Sequence, residues 1–130
     1  MVNNKNVKAF VVQTLGCDCP NQVFEYIDCQ HNVILNNGIP LRVRMNIGNR
    51  LLIYLIEIDD INFIQTNLSA LIRLGKDDRD SMGFNRFRLV IVSDNTDEIE
   101  HAANTIFENL ADKDEKVHLH ILSKSELPTL

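Results

Sequence analysis

The chain has 130 residues, a formal net charge of −5 and a composition close to that of an average globular protein. This length predicts one domain over residues 1–130 with a core large enough to fold unaided. The acidic balance and the absence of Trp disfavour binding to nucleic acid or to an anionic membrane, so neither is expected as a partner. The longest apolar run, 51–56, is far shorter than the roughly twenty residues of a membrane span.

The N-terminal part of the chain predicts a strand followed by a short helix. Val7–Leu15 is apolar and rich in β-branched residues, which is typical of a buried strand. Gly16 allows a sharp turn after it, and Pro20 suits the first position of a helix. Apolar residues at helical spacing up to Ile27 predict a helix of about nine residues.

Three strands joined by tight turns are predicted next. They are 31–35, 39–47 and 50–58, the first two being separated by an Asn-Gly turn. Short turns make neighbouring strands antiparallel. The last of the three is apolar on both faces at its start, so we expect it to lie at the centre of the sheet.

The following segment predicts a helix and a long loop. Asp60 is placed to cap the helix, whose apolar residues recur at helical spacing, and Gly75 is predicted to end it. Residues 76–86 are polar and without periodicity, which favours an exposed, mobile loop.

The C-terminal part predicts a strand at 87–93, an amphipathic helix after Asn95 and a last strand at 117–122. The whole order is β-α-β-β-β-α-β-α-β. It predicts an α/β or α+β domain with a mixed sheet of about six strands and three helices packed on it.

A pair of cysteines, Cys17 and Cys19, lies between the first predicted strand and the first predicted helix. The positive end of a helix stabilises a thiolate, so Cys19 at the cap is the expected nucleophile and Cys17 its partner. Two thiols one residue apart also suit a reducible disulfide or a soft-metal site. The nearby Asp18 opposes thiolate formation. The alternative is that both are ordinary cysteines at a turn.

Cys29 and His31 extend the pattern to Cys-x-Cys…Cys-x-His, a spacing that invites a zinc site. The ten residues between Cys19 and Cys29 span roughly 12–15 Å if they are helical, which is too far for ligands of one zinc ion. We therefore expect Cys29 to be a small buried residue at the end of the helix.

The segment from the first predicted strand to the helix resembles two known architectures. Thioredoxin-like proteins place Cys-x-x-Cys at a helix start after a strand, and heavy-metal-associated domains place it in their first strand-to-helix loop. Here the spacing is Cys-x-Cys, one residue shorter, and the element order departs from both. The resemblance covers about twenty residues and serves as an analogy, without assigning a family.

Other polar residues have simple structural interpretations. His118 and His120 share one face of a strand and suit either a metal or solvent. Asp59, Asp60 and Asp94 follow strands, where ligands bind in open α/β sheets, but Asp there usually caps a helix. A set of arginines near one hairpin predicts either an anion patch or a solvated strand face, and it comprises Arg42, Arg44 and Arg50.

The sequence thus predicts a small thiol protein that uses Cys17 and Cys19 for redox exchange, sulfur handling or soft-metal binding. The alternative is a non-catalytic module that associates with a second copy or another protein through a sheet edge or a helix face. No phosphate-binding loop identifies a cofactor. The odd cysteine count and an N-terminus without a signal-peptide pattern predict a cytoplasmic protein.

Overall fold

The computed structural model describes residues 4–111 and 113–130. Met1–Asn3 belong to the N-terminus in which no signal peptide is predicted, and they lie outside the described residues. The described strands are β1 (Ile27–Ile34), β2 (Pro40–Ile47), β3 (Leu51–Glu57), β4 (Arg86–Ser93) and β5 (Val117–Ser123). The described α-helices are α1 (Asn4–Ala9), α2 (Ile61–Met82) and α3 (Thr96–Glu108).

The strands form one mixed sheet in the order β1-β2-β3-β4-β5. β1, β2 and β3 are an antiparallel meander, whereas β3, β4 and β5 are parallel and joined by helices. The predicted class, α+β with a mixed sheet and three helices, is confirmed. Among the described residues, no helix is long and apolar enough to cross a membrane.

The central strands β3 and β4 are buried on both faces. Leu52, Tyr54 and Phe87 belong to a core that also contains the apolar sides of α2 and α3. Ile53 and Val90 belong to a second core on the opposite face, which contains the N-terminal segment. The sheet therefore lies between two layers, and the N-terminal segment is the second of them.

The N-terminal segment is helical, so the predicted strand at Val7–Leu15 is wrong. α1 continues into a wider π-helical turn over Phe10–Thr14, closed by a hydrogen bond from the N–H of Leu15 to the carbonyl of Phe10. The buried side chains recur at helical spacing, and they are Val7, Phe10, Val11 and Leu15. Burial against the sheet outweighs the β-propensity of the valines.

The predicted helix after Pro20 is also wrong. A 3-10 helix over Asn21–Glu25 takes its place, and β1 already begins at Ile27. Ile27 pairs with Ile47 and Cys29 pairs with Met45 across the antiparallel ladder. The described sheet therefore has five strands rather than the expected six.

α2 begins as predicted, with the side chain of Asp60 accepting a hydrogen bond from the N–H of Asn62. It does not end at Gly75, and the predicted loop at 76–86 is wrong. The helix continues to Met82 and stops at Gly83, whose φ of 73° is the left-handed conformation that terminates many helices.

The extra turns of α2 are held by polar contacts. Asp78 accepts hydrogen bonds from Tyr54 Oη at 2.5 Å and from Arg44 at 3.0–3.1 Å. Arg79 is buried and forms ion pairs with Asp80 and Asp114. Except for Asp80, these partners belong to other strands and loops, so the sequence of the segment alone does not reveal them.

Gly75 is required by packing, not by chain termination. A Cβ atom at this position would lie 2.0–2.4 Å from the ring atoms of Phe87, which is itself fully buried. The glycine lets the backbone of α2 approach the sheet closely.

We predict that Gly75→Ala destabilises the protein by about 1–3 kcal/mol, because the methyl group overpacks the contact with Phe87. Better helix propensity recovers at most about 1 kcal/mol. Urea unfolding measures the difference. Ser69→Ala, on the exposed side of the same helix, is the control and should change little. A stabilised Gly75→Ala protein would contradict the packing role.

We further predict that Asp114→Asn lowers the free energy of unfolding by about 1–2 kcal/mol at pH 7, because Asp114 forms a charge-assisted pair with buried Arg79. The value is modest because the Asp114 side chain is 39% exposed and therefore screened. Hydrogen bonds from Arg79 lower the pKa of Asp114 to about 2. The stabilisation is therefore complete above about pH 4 and is lost as the pH falls to about 2.

Urea unfolding at a series of pH values tests this dependence. Asp77→Asn is the matched control, because Asp77 is an exposed acid on α2, the helix that carries Arg79. If the two variants lose equal stability at pH 7, the Arg79 pair is not responsible.

Candidate functional site

Cys17 and Cys19 are joined by a disulfide, with their Cα atoms 5.4 Å apart. The loop that carries them leaves the N-terminal helical segment through Gly16, whose φ is 72°. The N–H of Cys17 donates a 3.0 Å hydrogen bond to the carbonyl of Val11. Cys17 is thus hydrogen-bonded to the helical segment, whereas Cys19 lies in the part of the loop that leads toward β1.

The disulfide lies where the parallel strands begin. It lines a cavity of about 280 Å³ together with residues that precede or start β3 and β4, namely Arg50, Leu51, Asn85 and Arg86. Cys17 is 6% exposed, whereas Cys19 is partly accessible. A reactant in the cavity therefore meets Cys19 first.

The electrostatic setting of the pair differs from the expected one. Pro20 precedes only a five-residue 3-10 helix, so Cys19 does not cap an α-helix and the predicted helix-terminus activation is wrong. The positive charge at the cavity comes from Arg50 and Arg86. The carbonyl of Arg50 accepts hydrogen bonds from the N–H groups of Asn85 and Arg86, which holds the backbones of the two arginines together at the cavity.

A third arginine, Arg88, lies further along β4 and is buried, with 6% exposure. Its Nη1 donates to the carbonyl of Leu15 at 3.2 Å and to Nε2 of His120 at 2.8 Å. Its Nε is buried without a hydrogen-bond partner among the described residues. Arg88 thus joins the sheet to the backbone that leads into the cysteine loop.

The two strand histidines are neighbours of this buried cation. Burial and the charge of Arg88 lower the pKa of His120 to about 4 and also lower the pKa of His118. Since His120 accepts a hydrogen bond from a guanidinium, it serves here as a neutral acceptor. An adjacent positive charge also disfavours the metal site that the spacing suggested.

Cys29 is not at a helix end but on β1, partly buried opposite Met45, and its thiol is free. Burial, with a smaller contribution from Asp28, raises the pKa of this thiol. Across residues 4–111 and 113–130, no group of three or more His, Cys, Asp or Glu side chains is placed to hold a metal ion.

The aspartates at the opposite end of the parallel strands already have hydrogen-bond and ion-pair partners. Asp59 accepts hydrogen bonds from Ser93 Oγ and from the N–H of Asp94. Lys124 forms ion pairs with Asp59, Asp94 and Glu57. Asp60 caps α2, as one of the two interpretations predicted.

The three arginines proposed as an anion patch do not act together. Arg42 pairs with Glu57 and Arg44 pairs with Asp78, so only Arg50 reaches the cysteine loop. At the cavity its neighbour is Arg86, the first residue of β4, although the sequence predicts a loop that ends at this residue. No local pattern links the two, because only the parallel pairing of β3 and β4 brings them together.

Comparisons of the chain with protein-family models, with curated proteins and with solved structures found no match.

We predict that the free energy of unfolding decreases as the pH falls from about 6.5 to 4, and that His120→Gln reduces this decrease. The unfolded histidine takes up a proton near pH 6.5, whereas folded His120 does so only near pH 4. Between these values unfolding takes up about one proton at this residue. Glutamine still offers Arg88 an acceptor oxygen but does not titrate.

Urea unfolding at pH 7 and pH 5 measures the effect. His101→Gln, on the exposed side of α3, is the control and should retain the wild-type dependence. His118 contributes equally to the wild type and to both variants. If His120→Gln and the wild type lose the same stability, His120 is not the group responsible.

Proposed function

We propose that the protein is a small thiol–disulfide exchange protein whose reactive group is the Cys17–Cys19 pair. The observation that carries the proposal is the disulfide itself, placed at a cavity with one partner accessible and the other buried. This asymmetry gives the two cysteines different roles. Cys19 exchanges with the external thiol or disulfide, and Cys17 resolves the mixed disulfide.

The surrounding charges support the exchange reaction. A disulfide is reduced through a thiolate, and a cysteine next to arginine has a larger thiolate fraction. Arg50 and Arg86 supply this charge at the cavity, opposed by the exposed Asp18. In this proposal the arginines, rather than a helix terminus, stabilise the thiolate.

Thiol exchange is favoured over soft-metal binding by the surroundings of the pair. A two-cysteine metal site needs further soft or neutral ligands in most protein centres. The other polar residues that line the cavity are two arginines, an asparagine and Asp18, whose carboxylate is a hard ligand. In a reducing compartment such as the cytoplasm, the pair would be cycled by cellular thiols rather than serve as a permanent crosslink.

We predict that the isolated protein interconverts between a form with one free thiol and a form with three, since the pair contributes two cysteines and Cys29 the third. Stepwise ratios of reduced and oxidised dithiothreitol, followed by alkylation and mass measurement, give the equilibrium. Cys29→Ser removes the third thiol and should leave the two-electron transition unchanged. A pair that remains either wholly reduced or wholly oxidised at every ratio would contradict the proposal.

We also predict that Cys19 reacts faster than Cys17. In a Cys29→Ser background, Cys17→Ser leaves Cys19 alone and Cys19→Ser leaves Cys17 alone. Cys19 should form a mixed disulfide with hydroxyethyl disulfide at least about tenfold faster, because Cys17 is buried. Equal rates would remove the assigned roles, and stoichiometric zinc in the reduced wild type would favour the metal function instead.

The alternative function, an interaction module that associates through a sheet edge, receives less support. β1 is an edge strand, but Asn32 within it has a φ of 55° and does not take part in the paired register. Such a distortion discourages pairing with another strand.

A further inference from the structure

Within residues 4–111 and 113–130, two arginines without a carboxylate partner lie at the cavity of the cysteine pair. Arg50 and Arg86 are both exposed at the cavity, and neither forms an ion pair among the described residues. Three other arginines differ from them, since Arg42, Arg44 and Arg79 each pair with a carboxylate. In a chain of net charge −5, this is a local positive site.

The buried Arg88 adds a third positive charge near this site. It follows Arg86 by two residues on β4, so both side chains point to the same face of the sheet. No carboxylate pairs with it among the described residues, and its polar partners are a carbonyl and a neutral histidine. Asp18 is the one carboxylate that lines the cavity.

On the premise that the pair exchanges thiols as proposed above, we propose that its reaction partner is a small anionic thiol whose carboxylate binds Arg50 and Arg86. Arginine binds carboxylates through its planar array of donors. The cavity of about 280 Å³ is at the lower limit of small-ligand sites, which suits a compact thiol rather than a large one. The accessible Cys19 places the sulfur to be attacked at the same cavity.

The exchange consists of two displacement steps at sulfur. The thiolate of the ligand attacks Sγ of Cys19, forms a mixed disulfide and breaks the Cys17–Cys19 bond, so that Cys17 leaves as a thiolate. A second ligand thiolate attacks the ligand sulfur of the mixed disulfide and releases Cys19. Two ligand thiols are oxidised to one disulfide, and the protein disulfide gains the two electrons. The protons of the ligand thiols pass through water to the cysteine thiolates.

The test compares three thiols of similar size and different charge: mercaptoacetate, mercaptoethanol and cysteamine. Each thiol is mixed with the oxidised protein, the reaction is quenched by alkylation at set times, and mass measurement gives the rate of reduction. Each rate is divided by the rate of the same thiol with hydroxyethyl disulfide, which removes differences in thiol pKa and nucleophilicity. We expect the corrected rate of mercaptoacetate to exceed that of mercaptoethanol about tenfold, and cysteamine to be the slowest.

The double variant Arg50→Gln/Arg86→Gln should lose this order, whereas Arg42→Gln, which removes an exposed arginine elsewhere, should keep it. High salt should reduce the preference in the wild type without any substitution. Equal corrected rates for the three thiols would overturn the inference and leave the exchange function standing. Failure of all three thiols to reduce the pair would instead contradict the exchange function itself.

Discussion

The double-sided burial of β3 and β4 is the constraint on which the rest of the structure depends. Both strands are apolar on both faces, so each face needs a covering layer. The helices α2 and α3 cover one face. The N-terminal helical segment covers the other, and its burial brings the loop with Cys17 and Cys19 to the point where the two strands begin. The site is thus a consequence of how the second face is closed.

Arg88 is the polar exception on that second face. Taking a guanidinium out of water is costly unless its donors are satisfied, and here one of them is not. Its bonds to Leu15 and His120 offset part of this cost and fix the backbone just before the cysteine loop. A methionine or leucine would fill the same space without a charge. The cation therefore contributes positive potential near the pair that packing alone does not require.

The sequence pattern predicts those elements whose apolar residues recur regularly or form a continuous run. Apolar residues alternate in β2 and recur at helical spacing at the start of α2 and in α3, whereas β3 and β4 are largely continuous apolar runs. The predicted positions of these elements and of β5 are confirmed. The N-terminal segment was misread because its valines favour strands, although its buried positions follow a helical period. The end of α2 was misread because Gly75 resembles a stop signal, whereas its function depends on the ring of Phe87, which is distant in sequence.

The same distinction applies to the candidate site. Cys17 and Cys19 are separated by one residue, so the sequence already places them close together and makes a disulfide one of the expected arrangements. Arg50 and Arg86 are separated by all of β3 and α2, and only the parallel ladder makes them neighbours. The carboxyl ends of the strands, where ligands are expected in an open α/β sheet, lie at the opposite end. There Lys124 forms ion pairs with Glu57, Asp59 and Asp94, so carboxylates outnumber the cations and the excess negative charge disfavours an anion. At the amino ends Arg50 and Arg86 form no ion pair among the described residues and line a cavity with the Cys17–Cys19 disulfide, so the end at which positive charge remains available is also the end that carries the sulfur proposed to react.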